Sequence, residues 1–151
     1  IDKAVEILHL NGGPSQTENM SIHGNMKAEL VDRTSHLYVY GSDIPAIKSL
    51  QSSDPQYSQK IHPDHAFTMA EAVWAIRYEM AETIEDILAR RVRLLFLDAR
   101  AAIDSAHTIA QLIAKEKEYS QEWATEQEKE FIELAQGYLL APYSPKTITH
   151  N

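Results

Sequence analysis

Residues 79–102 read EMAETIEDILARRVRLLFLDARAA, and this stretch is the clearest guide to the architecture of the chain. Three arginines, Arg90, Arg91 and Arg93, interrupt an otherwise apolar segment, and acidic residues precede them. On a helix, Asp86 and Arg90 lie one turn apart, so they can form an ion pair. Arg91 and Arg93 point in other directions and cannot share Asp86. We therefore expect at least one of the three arginines to face outward, towards another helix, another domain or an anion.

The residues before this stretch predict a helix that is buried on two sides. Thr68 and Glu71 have the spacing of a capping box, which favours a helix over residues 68–81. Two apolar stripes run along this segment, one that includes Tyr78 and ends in Ala81 and one that ends in Met80. A helix with two apolar faces is expected to contact other elements on both of them.

The cap pattern recurs at the arginines and again after them. Thr83 and Asp86 repeat the spacing of a helix start and begin a predicted helix that carries the arginines. Asp98 has the character of a new N-cap, so we expect a break or kink near Leu97.

Two amphipathic helices are predicted in the last third of the chain. Residues 99–116 carry their apolar side chains on one face, where four alanines permit close approach of another helix. Ser120 is suited to cap a last helix that ends near Gly137. Opposite a solvated row of glutamates, one face of that helix carries Trp123, Gln127, Phe131, Leu134 and Tyr138.

The beginning of the chain gives weaker patterns. Three helices are predicted here, over residues 1–10, 25–40 and 44–50. Asn11-Gly12-Gly13-Pro14 ends the first of them, because paired glycines tolerate positive φ and proline cannot continue a helix. The loop over residues 51–63 is long for a compact domain, so we expect a short extended pairing near Lys60-Ile61.

Together these patterns predict an all-α fold, a helical bundle with a looser N-terminal third. Residues 1–151 are expected to form a single helical domain. In it, residues 1–10 would be the end of a helix from a preceding domain, and residues 142–151 a flexible tail. The chain starts without methionine, in what reads as the middle of a helix, so we expect it to be a fragment of a longer protein.

Composition excludes several classes of function. The formal net charge of −8 argues against a nucleic-acid partner, which requires a basic face, and against direct docking on anionic lipid. There is no cysteine, hence no disulfide framework and no thiolate metal site, which fits a reducing compartment. No apolar run reaches the length of a membrane span, and the N-terminus lacks the pattern of a signal peptide.

No residue is assigned a catalytic, cofactor-binding or metal-binding role from its pattern. His62-Pro63-Asp64-His65 contains the only close pair of histidines, but the proline and the absence of a third ligand at helical spacing argue against a metal site. No serine is flanked by the glycines of a nucleophile elbow. The many carboxylates have the one-turn spacing of a solvated surface, so no catalytic pair can be singled out.

The arginines therefore remain the candidate site, with three interpretations. Arg90, Arg91 and Arg93 can form an internal ion-pair network with acidic residues nearby, namely Glu79, Glu82 and Asp86. Alternatively, their guanidinium groups can hold carboxylates or carbonyls of a partner domain, which makes them candidate interdomain contacts. Phosphate binding is the weakest interpretation, because no glycine-rich cradle lies beside them.

The same stretch resembles a known family. Tyr78-Glu79-Met80-Ala81, the segment from Thr83 to Arg93 and Phe96-Leu97-Asp98-Ala99 are similar to the C-terminal helical domain of FAD-dependent glycerol-3-phosphate dehydrogenases. Val92 stands where that family usually has threonine. The resemblance covers most of residues 11–140, and its outer parts are Asn11-Gly12-Gly13, Tyr40-Gly41-Ser42 and the group Phe131, Ala135, Tyr138 and Leu139.

The resemblance implies a parent enzyme that oxidises glycerol 3-phosphate to dihydroxyacetone phosphate on FAD and passes electrons to quinone or another acceptor. This chain would be its helical C-terminal cap, packed against an N-terminal flavin and substrate domain of the same chain, with homo-oligomer contacts left open. We expect a cytoplasmic location, peripheral at the inner face of the membrane at most and through the missing part only. The alternative is an independent helical interaction module with no enzymatic parent.

By itself the chain is expected to bind no FAD and to be inactive. A dinucleotide site needs a tight glycine turn between a strand and a helix. Of the five glycines, no three approach the Gly-x-Gly-x-x-Gly spacing. The catalytic residues would therefore lie outside this chain.

Overall fold

The structure is a computed structural model that describes residues 2–11, 13, 16–146 and 148. These residues divide into two units, residues 1–43 and residues 44–151, which we describe in turn. Helices and turns dominate both, and the described residues contain no strand beyond an isolated bridge, so the prediction of an all-α fold is confirmed.

The first unit contains mostly short turns. Helix α1 spans Asp2–Ile7, and three 3₁₀ segments follow it, over Thr17–Asn19, Ala28–Leu30 and His36–Asp43. The helix predicted over residues 25–40 is therefore wrong, because the apolar residues there keep only a rough period and 3₁₀ turns satisfy the backbone locally. Of the predicted stop at residues 11–14, Gly12 and Pro14 lie outside the described residues.

Gly41 is required by the backbone of this unit. Its φ of 52° and ψ of −121° are inaccessible to other residues, and a Cβ placed there would lie 1.9 Å from the carbonyl oxygen of Gly24. The same carbonyl accepts the backbone N–H of Ser42 at 3.4 Å. Tyr40-Gly41-Ser42 thus brings two stretches of backbone together just before the next helix.

The second unit holds the longer helices. In chain order they are α2 (Ile44–Ser53), α3 (Met69–Tyr78), a π-helical turn (Asp86–Arg91), α4 (Leu94–Leu97), α5 (Ala99–Lys117) and α6 (Gln121–Gln136). The predictions for residues 44–50, 99–116 and the segment after Ser120 are confirmed. Lys60 and Thr68 form an antiparallel bridge, which confirms the extended pairing expected near Lys60-Ile61.

Side-chain caps start three of these helices as predicted. Thr68 and Glu71 make a capping box at α3, in which the backbone N–H of Thr68 donates to the Glu71 carboxylate at 2.7 Å. The Asp98 carboxylate accepts two N–H groups at the start of α5, and the Ser120 hydroxyl accepts one at the start of α6. Each cap satisfies donors that a helix end leaves unpaired.

The core lies between α3, α5 and α6. Every residue from Met69 to Ile76 is buried, so α3 is enclosed on both faces as predicted. The alanine-containing stripe of α5 is buried along its length and packs closely on α6, which contributes Ala124, Phe131 and Ala135. Small side chains on both helices allow this close approach.

Two predicted apolar positions at the end of α3 face solvent instead. Tyr78 and Met80 are exposed, because α3 ends at Tyr78 and Met80 adopts a left-handed backbone with φ of 57°. On the last helix, Leu134 and Tyr138 of the predicted face are also exposed. The face that is buried in the core instead contains Ala124, Phe131 and Ala135.

The segment after α6 makes specific contacts. Gln136 forms two hydrogen bonds to the backbone of Tyr143, and the Tyr143 hydroxyl donates to Asp104 at 2.9 Å. The flexibility expected for residues 142–151 stays a prediction, and residues 147 and 149–151 lie outside the described residues.

Candidate functional site

The arginines lie on a π-helical turn rather than on the regular helix that was predicted. The backbone N–H of Val92 donates to the carbonyl of Ile87 at 3.0 Å, five residues earlier, which widens the turn by one residue. Ile87, Leu88, Ala89 and Val92 all remain in the core. The extra residue lets the apolar side chains point inward while Arg90 and Arg91 are carried to the exposed side.

The main break falls at Arg93, earlier than the predicted one near Leu97. Arg93 has a left-handed backbone, with φ of 59° and ψ of 21°, and α4 starts directly after it. The second break at Asp98 is the one the N-cap pattern predicted. The apolar residues around Arg93 have a spacing that a continuous helix would also show, so the first break could not be predicted from the sequence.

Arg90 belongs to an internal ion-pair network. Its guanidinium contacts Asp86, one turn earlier as predicted, and Glu85 at 2.7 Å. Burial alone would raise the pKa of Asp86, but donors from Glu82, Arg90 and Thr83 outweigh it and hold that pKa below its usual value. Asp86 therefore joins the start of the turn to Arg90.

Arg91 is also paired within the chain. It contacts the Glu79 carboxylate at 2.8 Å and donates to the Glu79 backbone carbonyl at 2.6 Å. The third acid considered from the sequence, Glu82, pairs with Lys117 at 2.5 Å and accepts from the Tyr119 hydroxyl at 3.0 Å instead. The internal ion pairs thus include Arg90 and Arg91, whereas the Glu82 carboxylate pairs with neither arginine.

Arg93 differs from its neighbours. Its side chain is exposed and has no acidic partner within the part of the chain that the structure describes. Its guanidinium carbon lies 5.9 Å from the centre of the Phe96 ring, which packs edge-on against Tyr138 with ring centres 5.7 Å apart. We call the group Arg93, Phe96, Leu97 and Tyr138 the Arg93 surface.

A second polar cluster lines a cavity of about 580 Å³ at the start of α5. Its centre is the buried Asp104, which accepts from the Tyr143 hydroxyl at 2.9 Å and from the Lys146 backbone N–H at 2.6 Å. His62 lies 3.9 Å from the same carboxylate. Burial and the bond to Asp104 raise the pKa of Tyr143.

This cluster is satisfied by its own contacts. His65 contacts Asp98 at 3.3 Å, and Asp98 also accepts the N–H groups that cap α5. Among the described residues, no three histidines or carboxylates are placed to hold a metal ion. The cluster therefore fixes the segment after α6 against the start of α5.

A partly exposed ion pair that links α3 to α5 was not predicted from the sequence. Arg77 forms a two-pronged ion pair with Glu116, at 2.6 and 2.8 Å, and Tyr57 contacts both partners. The hydrogen bonds from Arg77 hold the pKa of Glu116 below its usual value. These partners are far apart in sequence, so only the fold brings them together.

The backbone of the described residues consists almost entirely of helices and turns. Lys60 and Thr68 form only an isolated bridge, so no strand leads through a glycine turn into a helix in the ranges the structure covers. None of the helices there combines the length and the hydrophobicity that a membrane crossing requires. The arrangement thus combines two arginines that are ion-paired within the chain, Arg90 and Arg91, with the exposed guanidinium of Arg93 on an apolar surface.

Comparison with known proteins identifies the family. Residues 5–124 match the family model described as the C-terminal domain of alpha-glycerophosphate oxidase. The glycerol-3-phosphate dehydrogenase 2 of Mycobacterium tuberculosis is 29% identical over 130 residues, covering 76% of this chain and 22% of that protein. The mitochondrial glycerol-3-phosphate dehydrogenase of Arabidopsis thaliana is 28% identical over 130 residues, covering 86% of this chain and 20% of that protein.

Another relative matches a shorter part of the chain at higher sequence identity. The mitochondrial glycerol-3-phosphate dehydrogenase of Schizosaccharomyces pombe is 43% identical over 53 residues, covering 35% of this chain and 8% of that protein. No solved structure matches the chain significantly. The chain thus spans about a fifth of the length of the first two curated relatives.

Proposed function

This chain belongs to the family of the C-terminal domain of alpha-glycerophosphate oxidase, and from that premise we propose that it is the C-terminal domain of an FAD-dependent glycerol-3-phosphate dehydrogenase. The observation that carries the proposal is the family match over residues 5–124, most of the chain. The names of the relatives support the same activity. An independent helical module is not favoured, because it gives no reason for a match of this extent.

The parent enzyme would oxidise glycerol 3-phosphate to dihydroxyacetone phosphate, with the two electrons of the hydride passing to FAD and then to quinone or another acceptor. This chain would not carry out that chemistry. Its lack of a strand–glycine turn–helix unit among the described residues supports a flavin site in the preceding part of the parent. The chain would pack against that part as a helical cap.

The arginines fit this role unequally. Arg90 and Arg91 are held by acids of their own segment, which supports a structural task for them. Arg93 is exposed on an apolar surface, which supports an interdomain contact. Of the three candidate contacts, Arg93 is the one whose guanidinium still lacks an acidic partner among the residues described.

Partners and location follow from the same proposal. The chief partner is the N-terminal flavin and substrate domain of the same chain, and a homo-oligomer would be formed by the whole parent. The net charge of −8 supports no nucleic-acid partner. We place the parent in the cytoplasm, with any contact to the inner face of the membrane made by its other parts; the absence of cysteine supports a reducing compartment.

Two observations test the proposal. The reading frame upstream of Ile1 is expected to encode a Gly-x-Gly-x-x-Gly strand–turn–helix, and a start codon directly before Ile1 would contradict it. The purified 151-residue chain is expected to show no flavin absorbance with or without added FAD and to reduce no dye with glycerol 3-phosphate. Stoichiometric flavin binding by this chain would contradict the proposal that the flavin site lies in the preceding part of the parent.

A further inference from the structure

The Arg93 surface exposes more apolar area than its place beside the core explains. Phe96, Leu97 and Tyr138 are 55%, 65% and 54% exposed, although Leu94 and Leu95 of the same short helix are fully enclosed. Phe96 and Tyr138 are already in ring contact, so they present one continuous face. Large apolar side chains that cluster at the surface are typical of interaction sites.

The backbone supports the same interpretation. Arg93 has a left-handed conformation that glycine adopts without strain and that other residues adopt at a cost. An arginine at this position places a guanidinium over the Phe96 ring at the edge of the surface. Strain at a residue with no acidic partner in the described chain is a reason to look for a partner outside it.

We infer that the Arg93 surface binds the catalytic body of the parent, the part of the protein that precedes this chain. This inference rests on the proposed function. The relatives are about five times as long as their matched region, so a large body exists in them for a C-terminal domain to contact. That body supplies carboxylate or carbonyl oxygens opposite Arg93, surrounded by apolar side chains that cover Phe96, Leu97 and Tyr138.

A second copy of the chain is the less suitable occupant. In a two-fold contact the surface would face itself, and each Arg93 would meet a surface that contains no acid. Both guanidinium groups would then lose water without gaining a carboxylate, which is unfavourable. The catalytic body has no such restriction.

The test uses the absence of native cysteine in this chain. Leu97→Cys introduces a single thiol at an exposed position of the surface, and Glu126→Cys introduces one on the exposed side of α6 as the matched control. Both are made in the 151-residue chain and in the flavin-loaded full-length parent. The rate of alkylation by iodoacetamide is followed at each position by mass spectrometry of the peptide.

Labelling at Leu97→Cys is expected to be about tenfold or more slower in the parent than in the 151-residue chain, while Glu126→Cys reacts at the same rate in both. Equal rates at Leu97→Cys would overturn the inference, as would equal slowing at both positions. A rate in the 151-residue chain that falls with its own concentration would overturn it in favour of a second copy.

A second variant guards against a local effect of the introduced thiol. Arg93→Gly in the full-length parent is expected to raise the alkylation rate at Leu97→Cys at least severalfold, because the contact is weakened. No change would contradict the inference. Oxidation of glycerol 3-phosphate by the unmodified parent is measured alongside. Protection without this activity refutes the proposed function alone, and activity without protection refutes the Arg93 surface alone.

Discussion

At the scale of the residue, three arginines within four positions have three different environments. Arg90 is held by Asp86 and Glu85, Arg91 by Glu79, and Arg93 by the face of an aromatic ring. The positive φ of Arg93 is shared by Glu118 at the end of α5. Because both residues have the same left-handed backbone, substitutions at Glu118 show the effect of backbone strain alone. Substitutions at Arg93 show that effect together with the effect of the arginine side chain.

Replacing either residue by glycine should therefore have the same effect on the isolated chain. Arg93→Gly and Glu118→Gly are each expected to raise the free energy of unfolding by about 0.5–1 kcal/mol, since the left-handed backbone is no longer strained. Urea unfolding measures this. In the full-length parent, Arg93→Gly is also expected to weaken the contact between this domain and the catalytic body, whereas Glu118→Gly is not. Destabilisation of the isolated chain by Arg93→Gly would mean that the side chain serves this chain's own fold.

Asp98 has a well-defined local task. Its carboxylate accepts the N–H groups of Ala101 at 3.0 Å and Arg100 at 3.1 Å, and these bonds, with His65, lower its pKa. Asp98→Ala is expected to destabilise the chain by about 1 kcal/mol in chemical denaturation. Asp98→Asn keeps an acceptor and should lose much less. Equal losses for the two variants would point to the charge or to His65 rather than to the cap.

At the scale of the element, the features that could be predicted from the sequence are those with local determinants. The capping box of Thr68 and Glu71, the caps of Asp98 and Ser120 and the alanine stripe of α5 depend on residues within a few positions of one another. The π-helical turn could not be predicted, because the apolar residues there have the spacing that a regular helix also shows. The contacts of Arg77 with Glu116 and of Tyr143 with Asp104 could not be predicted either, because the partners in each pair lie 39 residues apart in the sequence.

Only part of the candidate site could be predicted from the sequence. The Asp86–Arg90 pair follows from helical spacing and was predicted from it. The exposure of Arg93 together with Phe96 and Tyr138 was not, since Tyr138 reaches Phe96 only through the packing of α6 on α5. A periodic pattern places residues on a face, but it does not tell which part of that face a neighbouring helix leaves open.

The Arg77–Glu116 pair joins α3 to α5 and predicts a pH dependence. The folded pKa of Glu116 is below its ordinary value of 4.5, so its contribution to stability is present above pH 4.5 and is lost as the pH falls through the folded pKa. Glu116→Gln should therefore be less stable than the native chain at neutral pH. The difference in free energy of unfolding should shrink below pH 4.5. A difference that stays constant with pH would contradict this.

At the scale of the whole molecule, the proposed function makes this chain a supporting domain. Its second unit has a buried core, and its polar clusters are satisfied by internal contacts. Among the residues that the structure describes, no group of histidines and carboxylates is placed to hold a metal ion. Our inference assigns the contact with a partner to the Arg93 surface. The family match supplies the partner in the proposal, a catalytic body that carries FAD and the glycerol 3-phosphate site.

The most direct test of this account is the visible absorbance of the flavin in the full-length parent, titrated with glycerol 3-phosphate in the absence of oxygen and quinone. We expect the oxidised flavin band to be lost with one equivalent of substrate per flavin, with dihydroxyacetone phosphate as product, and the 151-residue chain to show no such band. A parent that carries no flavin, or whose flavin keeps its oxidised spectrum at saturating glycerol 3-phosphate, would contradict it.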